Sequence, residues 1–221
     1  MSLPVSFDVD GWEPPKWPSA TGLSGARVTV SALAPEAFDG LWDAFSEDPG
    51  DMWTYMGYGP FRSQDEMVGT VSSWVGSRDP MFFTFDVDGV ARGWGAYLRI
   101  NPGDGTVEIG HLAYSPALRR TTAATEVIYL MLRHVFDLGY RRCEWKCDSL
   151  NGASRSAAER LGFTYEGTFR RHMVYKGRNR DTAWYSIVDA DWPGVRAALE
   201  EWLAPSNFDS DGHQLTPLAT P

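Results

Sequence analysis

The stretch from Val107 to Glu126 constrains the fold of this chain more than any other segment. Its first part, Val107 to Tyr114, is an apolar-rich run that predicts a strand. A short basic turn follows Pro116, and the apolar pattern over Thr125 to Leu138 then predicts a long helix ended by Gly139. A strand that leads directly into a helix indicates an α/β arrangement, with the helix N-terminus beside the end of the strand.

The turn before this helix has the chemistry of an anion site. The first amides of a helix have no intrahelical partner, and the helix dipole favours negative charge there. Arg119 and Arg120 lie just before the helix, and guanidinium groups bind phosphate oxygens well. The stretch therefore predicts a phosphate-bearing cofactor at the start of the 125–138 helix, although most strand-to-helix turns in α/β proteins bind nothing.

The composition describes one globular domain. The chain has 221 residues, of which 43% are hydrophobic and 22% are charged. The formal net charge of −9 argues against a general nucleic-acid binder and is compatible with a cationic or amine acceptor. No apolar run approaches the roughly 18 residues of a membrane span and no signal peptide opens the chain, so we expect a cytoplasmic protein with no membrane span.

The two cysteines do not indicate a disulfide or a metal site. Cys143 and Cys147 lie four residues apart on a predicted strand, about 13 Å from each other at the usual rise per residue, which is too far for a disulfide. We therefore expect reduced, buried thiols. With only four histidines, and no Cys or His at ligand spacing, we expect no metal.

The periodicity of the whole chain predicts the element order β-α-α-β-β-β-α-β-α-β-β-α. The strand–helix–strand unit around the 125–138 helix requires two parallel strands with a right-handed crossover. The pattern divides the chain into an irregular arm over residues 1–25, a domain over 26–204 and a tail over 205–221. The predicted strands cover residues 27–33, 81–87, 90–100, 106–114, 141–148, 164–176 and 181–188, and the predicted helices cover 35–47, the segment after the Ser63 cap, 125–138, 151–161 and the segment after an Asp191 cap.

Two motifs in this order resemble those of the GNAT N-acetyltransferases, and specifically of the RimJ/RimL-like branch. The first motif comprises Glu108-Ile109-Gly110, Pro116, Arg119 to Ala124 and Thr125-Glu126, and it departs from the family pattern because Thr122 stands where a glycine is usual. The second comprises Asn151-x-x-Ser154, Leu161-Gly162-Phe163 and Glu166-Gly167. The resemblance covers roughly residues 27 to 203. It implies an α/β (α+β) fold, with a mixed, mostly antiparallel central sheet flanked by helices and a splayed parallel strand pair.

The resemblance implies acetyl-CoA as cofactor and an amine as acceptor. Backbone amides around Leu112 to Tyr114, at the end of the central strand, would polarise the thioester carbonyl. The basic turn would hold the pyrophosphate, and the second motif would orient coenzyme A. The residues implied in cofactor binding are Leu112, Ala113, Tyr114, Arg119, Arg120, Thr121, Thr122, Ala123, Ala124, Thr125, Asn151 and Ser154.

Three residues are candidates for the acid–base steps of acetyl transfer. The resemblance implies that Ser154 donates a hydrogen bond or a proton to the leaving thiolate, and Glu108 and His111 are candidates for the base that takes a proton from the amine. Glu108 and His111 are three residues apart on one strand, so they face opposite sides unless the strand bulges. Each also has an ordinary explanation: Asn151 and Ser154 as helix caps, Glu108 as a paired strand carboxylate and His111 as a core histidine.

The aromatic loop 53–61 and the segment 170–175 are expected to form the acceptor site. Its candidate residues are Trp53, Tyr55, Tyr58, Arg171 and Tyr175. The acceptor is either a protein N-terminus or a small-molecule amine such as a polyamine, an antibiotic or an amino acid. The glycine-poor turn leaves open a third reading, a non-catalytic module that binds acyl-CoA. By analogy with relatives, a homodimer is also an expectation.

Overall fold

The computed structural model describes residues 5–19, 22–48 and 50–221. These residues form one eight-stranded sheet flanked by five α-helices. The strands are β1 (Leu23–Ser24), β2 (Thr29–Ala32), β3 (Met81–Val87), β4 (Val90–Asn101), β5 (Thr106–Tyr114), β6 (Arg142–Asp148), β7 (Thr164–Tyr175) and β8 (Arg178–Val188), and the helices are α1 (Phe38–Ser46), α2 (Gln64–Val71), α3 (Thr122–Asp137), α4 (Gly152–Arg160) and α5 (Trp192–Leu203). None of the helices in these ranges is long and apolar enough to cross a membrane.

The strand order across the sheet is β1-β2-β3-β4-β5-β6-β8-β7, and the only parallel pair in the named strands is β5 with β6. That pair is short, because Thr106 to Glu108 pair with Arg142 to Glu144 and the two strands then separate. The mixed, mostly antiparallel sheet with a splayed parallel pair confirms the fold expected from the resemblance. We refer to the gap between β5 beyond Glu108 and β6 beyond Glu144 as the fork.

The closed end of the fork lies at Gly105. Its carbonyl oxygen accepts hydrogen bonds from the backbone N–H groups of Arg141 and Arg142, at 2.8 and 3.1 Å. Gly105 has a φ of +66°, and a Cβ placed on it would lie 2.9 Å from the Trp12 ring. The guanidinium carbon of Arg141 in turn lies 5.5 Å from the centre of that ring. The N-terminal segment therefore packs against the point where β5 and β6 join.

Side-chain alternation along β4 divides the core between the two faces of the sheet. Tyr97 packs with α3, α4 and α5 in one hydrophobic cluster, whereas Trp94 and Ala96 pack with α1, α2 and the loop after α1 in another. We call these the Tyr97 face and the Trp94 face. Because the cores lie on both sides, the central strands are buried on both faces, and the fork opens toward both.

Several element boundaries differ from the sequence expectation. Helix α3 begins at Thr122, three residues before the predicted start, because the Thr121 hydroxyl accepts the N–H of Ala124 and caps the helix there. The cap expected at Ser63 is present, whereas the Asp191 side chain makes no capping hydrogen bond before α5. The two-residue strand β1 was not predicted, since so short a segment has no readable period.

The C-terminal segment packs along the domain. Phe208 and Leu218 lie against the core of the Tyr97 face, and the Trp202 indole N–H donates to the side-chain oxygen of Gln214 at 2.9 Å. In the N-terminal segment, Trp17 packs against the same core. Residues 1–4, 20 and 21 of the predicted arm lie outside the described residues, and the division of the chain into arm, domain and tail stays a prediction.

Candidate active site

The fork leaves two strand edges without a ladder partner. Strand β6 pairs with β8 over its whole length, and β5 pairs with β4, so beyond Glu108 and Glu144 their facing edges do not pair with each other. Backbone N–H and C=O groups on such edges must find another partner. The fork can therefore take an extended polar ligand between the two strands.

A β-bulge interrupts β5 beside the fork. The β4–β5 ladder pairs Trp94 with Ala113 but Ala96 with Gly110, so β5 has one extra residue between these pairs. His111 lies within this bulge, between Gly110 and Ala113, and has a left-handed φ of +53°. Since the bulge changes the alternation of side chains, His111 points to the face opposite to the one that regular strand geometry would give it.

The bulge places Glu108 and His111 on the same face of the sheet. Glu108 pairs across the ladder with Leu98, two residues beyond Ala96, on the Trp94 face. The His111 ring lies 5.1 Å from the ring of Phe82, which belongs to the hydrophobic cluster of that face. Because the strand bulges between them, Glu108 and His111 can therefore line the same pocket.

Glu108 is a buried carboxylate at the point where the fork opens. It is 2% exposed, it pairs with the Arg99 guanidinium, and its Oε2 lies 3.5 Å from Nζ of Lys146. Burial raises the pKa of Glu108 to about 7, and the positive charges of Lys146 and Arg99 oppose this shift. A carboxylate with a pKa near neutrality can take a proton from an amine and release it again at physiological pH.

His111 forms a hydrogen-bonded chain with two aromatic residues. The Trp94 indole N–H donates to the Tyr58 hydroxyl at 3.2 Å, and that hydroxyl lies 3.3 Å from Nδ1 of His111. Burial raises the pKa of Tyr58, so the hydroxyl keeps its hydrogen and donates it to Nδ1. Burial also lowers the pKa of His111 to about 4. The imidazole is thus neutral at pH 7, and a Tyr58 hydroxyl that donates to Nδ1 favours the tautomer with the hydrogen on Nε2.

Ser154 lies on the Tyr97 face, beside β6. The side-chain oxygen of Asn151 accepts the N–H of Ser154 at 3.1 Å, so Asn151 is the N-cap of α4, as its ordinary explanation requires. The Ser154 hydroxyl accepts the indole N–H of Trp145 at 3.0 Å. A hydroxyl that accepts one hydrogen bond retains its own hydrogen for donation. Ser154 is therefore held by the Trp145 indole, and its own hydrogen is directed at the neighbouring Cys147 thiol, whose pKa this hydrogen bond lowers against the effect of burial.

The two cysteines are poor nucleophiles. Burial raises the pKa of both the Cys143 and the Cys147 thiol, and both residues are buried and reduced. A covalent acyl-cysteine step has no activated thiolate here.

The turn before α3 offers backbone amides more than side chains. Thr122 and Ala123 occupy the first two positions of the helix, where amides have no intrahelical acceptor. The Thr121 hydroxyl donates to the Leu118 carbonyl and caps the helix, and the Thr125 hydroxyl accepts from Arg160 at 3.1 Å. Both hydroxyls therefore already have partners within the protein.

The two arginines of this turn differ in their surroundings. Arg119 pairs with the carboxylate of Asp48 in the loop after α1. Arg120 is exposed, with a left-handed φ of +62°. Leu112, Ala113 and Tyr114 follow the bulge at the free edge of β5 and lead into this turn. The predicted cofactor residues of the first motif thus form one continuous run from the fork to the start of α3.

The candidate acceptor residues occupy different environments. Trp53 is 4% exposed and belongs to the core of the Trp94 face, so its side chain is not available to line a pocket as expected. Tyr58 contacts His111, and the Tyr55 hydroxyl donates to the Leu150 carbonyl at 3.1 Å. The Tyr175 hydroxyl donates to Asp148 at 2.9 Å.

The hairpin of β7 and β8 contacts the aromatic loop and carries Arg171. The Lys176 ammonium donates to the backbone carbonyl of Trp53 at 2.8 Å, which ties the hairpin tip to the loop. Arg171 lies in a bulge of β7, with a φ of +52°, and its N–H donates to Asp181 at 2.7 Å. Arg171 is part of an open groove of about 540 Å³ that Arg170, Asn179 and Asp181 also line, and it is not among the groups around Glu108.

Sequence reasoning did not single out the cations around Glu108. Lys146 shares one face of β6 with Glu144 and Asp148, and this pattern could have placed it on the Glu108 side of the sheet. Arg99 could not have been found, because a bulge of β4 with a φ of +48° turns it toward Glu108. The amides of Arg99 and Ile100 both donate to Asp79 and hold that bulge.

The described part of the chain contains one group of side chains with the proximity needed for a metal ion: Asp209, Asp211 and His213, all exposed. Oδ1 of Asp209 accepts the backbone N–H groups of Asp211 and His213 at 3.0 and 2.8 Å, and this turn accounts for their closeness.

Known proteins share both the sequence pattern and the fold. Residues 27–164 match the family model described as an acetyltransferase (GNAT) domain. A GCN5-related N-acetyltransferase from Brucella melitensis is 42% identical, with a TM-score of 0.93, over 95% of this chain and 97% of that chain. A probable acetyltransferase of the GNAT family from Chromobacterium violaceum ATCC 12472 is 37% identical, with a TM-score of 0.81, over 87% of this chain and 98% of that chain.

A more distant structure shares the fold alone. An acetyl transferase from Salmonella typhimurium, described as modifying the N-terminal serine of the 50S ribosomal subunit protein L7/L12, is 17% identical, with a TM-score of 0.66, over 74% of this chain and 96% of that chain. A comparison with curated proteins finds no significant match.

Proposed function

Because this chain belongs to the GNAT acetyltransferase family, we propose that it transfers an acetyl group from acetyl-CoA to a primary amine by direct attack in a ternary complex. The observation that carries the proposal is the fork itself. It opens at a buried carboxylate with a pKa of about 7, Glu108, and it is flanked by Ser154, a hydroxyl that can donate. These two groups lie on opposite faces of the sheet, which lets an acceptor and a cofactor approach from opposite sides.

The residues of the fork and of the α3 N-terminus fit coenzyme A. The unpaired edges of β5 and β6 offer N–H and C=O groups to an extended chain with amide bonds. The free amides of Thr122 and Ala123, with Arg119 or Arg120, suit a pyrophosphate. The backbone N–H groups suffice for this contact, so the threonine at position 122 does not prevent it. When bound, acetyl-CoA supplies an acetyl group activated as a thioester.

The side chains at the fork divide the proton transfers between them. Glu108 accepts a proton from the ammonium form of the acceptor, which makes the nitrogen a nucleophile. When the acceptor nitrogen displaces the thiolate, the Ser154 hydroxyl would donate a hydrogen bond to the departing sulfur, and the second proton that the nitrogen loses would become the proton of the coenzyme A thiol. The backbone amides that follow the bulge, from Leu112 to Tyr114, act as donors to the carbonyl oxygen. The thiols of Cys143 and Cys147 take no part.

The acceptor has two candidate classes. The similarity of the two motifs to the RimJ/RimL-like branch supports a protein N-terminus, and the small amines named above form the second class. A non-catalytic acyl-CoA module is the competing function, because Thr122 replaces the usual glycine of the cofactor turn. Turnover distinguishes this module from an enzyme, whereas cofactor binding does not.

The decisive experiment combines calorimetry with a thiol-release assay. Wild type and Glu108→Gln should bind acetyl-CoA with similar affinity, because Glu108 contacts the acceptor rather than the cofactor. In an assay over peptides and small amines at pH 7.5, Glu108→Gln should lose about 10²-fold or more in kcat, which is typical for removal of a general base. Binding without turnover over the whole panel would favour the non-catalytic module. Failure to bind millimolar acetyl-CoA would reject both.

A further inference from the structure

The β7–β8 hairpin carries a cluster of positive charge in the half nearest its turn. Five of the 20 lysines and arginines of the chain lie between Arg170 and Asp181, a segment that holds one carboxylate. The five cations are Arg170, Arg171, Lys176, Arg178 and Arg180. Because the formal net charge of the chain is −9, this segment is a surface of opposite sign to the chain as a whole.

None of these five cations forms an ion pair within the described part of the chain. The Lys176 ammonium donates to the backbone carbonyl of Trp53 at 2.8 Å, and Nε of Arg180 donates to the Thr182 hydroxyl at 3.1 Å. The other three are arginines that are exposed to solvent. Their positive charges are therefore available to a ligand.

Three carboxylates lie in or beside this half of the hairpin. Asp181 belongs to it, and Oδ1 of Asp181 accepts the backbone N–H of Arg171 at 2.7 Å. Asp148 accepts a tyrosine hydroxyl of the hairpin at 2.9 Å, and Asp51 precedes the loop that Lys176 contacts. Since five cations exceed three carboxylates by two, the hairpin attracts anions even when all of its acidic neighbours are counted.

The hairpin also contains the open groove described above. The groove has a volume of about 540 Å³ and is lined by Arg170, Arg171, Asn179 and Asp181. It lies at the bulge of β7, where the register with β8 shifts between Phe169 and Met173. These two side chains are 56% and 40% exposed. A groove with two arginines and exposed apolar neighbours fits an acidic peptide chain better than a small inorganic anion.

A short series of contacts connects the groove to Glu108. Nζ of Lys146 lies 3.5 Å from Oε2 of Glu108. The centre of the Trp184 ring lies 5.3 Å from the same Nζ and 5.9 Å from the ring of His172, the neighbour of Arg171. A peptide whose amine lies at Glu108 therefore reaches the groove within about seven extended residues, at roughly 3.3 Å each.

The amine and the anionic part of an acceptor thus bind at separate places. We propose that the acceptor is a protein N-terminus followed by acidic residues, with the amine at Glu108 and the acidic residues in the groove of Arg170 and Arg171. This inference rests on the proposed acetyl transfer, and it selects the protein class of acceptor over the small amines. A nucleic acid fits less well, because the chain as a whole is acidic and repels phosphates.

The test compares acceptor peptides that differ only in charge. The two peptides share their first two residues, and one then carries Asp and Glu where the other carries Asn and Gln. With saturating acetyl-CoA, kcat/KM for the acidic peptide should be about tenfold higher or more, mainly through a lower KM, as charge-assisted hydrogen bonds allow. The ratio should fall toward one as the salt concentration rises to about 1 M, because exposed charges are then screened. Equal values for the two peptides at low salt would overturn the inference.

Charge reversal in the groove locates the acidic residues. In the double variant Arg170→Glu with Arg171→Glu, a peptide with Lys at the variable positions should become a better acceptor than the acidic peptide. The milder Arg171→Gln should reduce the preference for the acidic peptide without reversing it, and it decides the matter if the double variant does not fold. Arg62→Glu, at an exposed arginine before α2, is the matched control and should keep the wild-type preference. An unchanged preference in both groove variants would overturn the inference.

Binding measurements separate this inference from the proposed function. If no peptide or small amine is acetylated, the proposed function is wrong. Fluorescence anisotropy with labelled forms of the same peptides, in the presence of coenzyme A, then still measures the charge preference. Tighter binding of the acidic peptide supports the groove, and equal binding contradicts it. A single-stranded RNA that binds more tightly than the acidic peptide, and loses affinity in the double variant, would assign the groove to nucleic acid instead.

Discussion

The guanidinium of Arg119 pairs with the carboxylate of Asp48, a fully buried side chain in the loop after α1. Oδ1 of the same carboxylate accepts the N–H groups of Gly50 and Met52, at 2.7 and 3.3 Å. The turn before α3, where a pyrophosphate is expected, is therefore tied to the loop that leads to Tyr55 and Tyr58. A substitution of Arg119 affects both the turn before α3 and the loop after α1. Its effect can therefore be interpreted only beside that of a substitution at Asp48.

Two substitutions separate the roles of Arg119. If its guanidinium binds the cofactor phosphates, Arg119→Ala should weaken acetyl-CoA binding by about tenfold or more, since hydrogen bonds to charged groups contribute about 1.5–3 kcal/mol. Asp48→Asn breaks the ion pair but leaves Arg119 in place, so the Kd should stay the same or fall. Calorimetry on both variants checks this, and equal weakening in both would mean that Arg119 only holds the loop.

The rate should depend on the protonation of Glu108. Its pKa of about 7 predicts that kcat/KM rises with pH as the carboxyl loses its proton, and levels off above neutrality. A pH–rate profile with acetyl-CoA in excess checks this. Glu108→Gln should abolish the fall in kcat/KM at low pH, which we call the acid limb, and should lower the rate about 10²-fold or more. An acid limb that is unchanged in this variant would mean that another group titrates.

Arg99 should shift that acid limb. Its positive charge favours the ionised carboxylate, so Arg99→Gln removes a contribution that lowers the pKa of Glu108, and the limb should move to higher pH. The exposed Arg62→Gln variant is the control and should keep the wild-type profile. A limb that moves to lower pH, or a rate that falls equally at every pH, would contradict this electrostatic role.

His111 should remain neutral throughout the range in which the enzyme is assayed. With a pKa of about 4 and the Tyr58 hydroxyl at Nδ1, its nitrogen NMR signals should show the Nε2–H tautomer from pH 5 to pH 8. Tyr58→Phe removes the donor and should allow the two tautomers to mix. A wild-type His111 signal that titrates near pH 6.5 would contradict the assignment.

Ser154 should act on turnover rather than on cofactor affinity. Ser154→Ala removes the donated hydrogen but leaves the backbone amide that Asn151 caps, so α4 should stay intact. We expect kcat to fall about tenfold to a hundredfold, in the lower range of general-acid effects, with little change in the Kd for acetyl-CoA. Ser156→Ala, an exposed position on the same helix, is the control. Equal kcat values for the two variants would exclude Ser154 from the reaction.

Much of the sheet follows from local sequence patterns. Strand β3 has the predicted bounds, because its largely hydrophobic run ends at Asp88-Gly89, a dipeptide that favours a tight hairpin. The parallel β5–β6 pair follows from the strand–helix–strand order. The early start of α3 was missed because Thr121 is one of several threonines that could serve as the cap, and only the structure shows which one does.

The arrangement of the site depends on features with no local signal. The motifs indicate Glu108, His111 and Ser154, but whether two of them share a face depends on a bulge that adds one residue to β5. The ion pair of Arg119 with Asp48 joins positions 71 residues apart. Such relationships are decided by packing between elements, so periodicity along the chain cannot predict them.

The closed end of the fork has a consequence for ligand affinity. Because Gly105 accepts hydrogen bonds from both Arg141 and Arg142, and Trp12 covers this junction, the angle between β5 and β6 is set during folding. A ligand that enters the fork does not have to break a β-ladder or order the strands. The free-energy cost of exposing the two edges is already included in the stability of the folded protein, so the intrinsic affinity of a ligand is not reduced by a rearrangement of the backbone. The fork is therefore a preorganised cleft, and tightening its junction would stabilise the fold without closing the cleft.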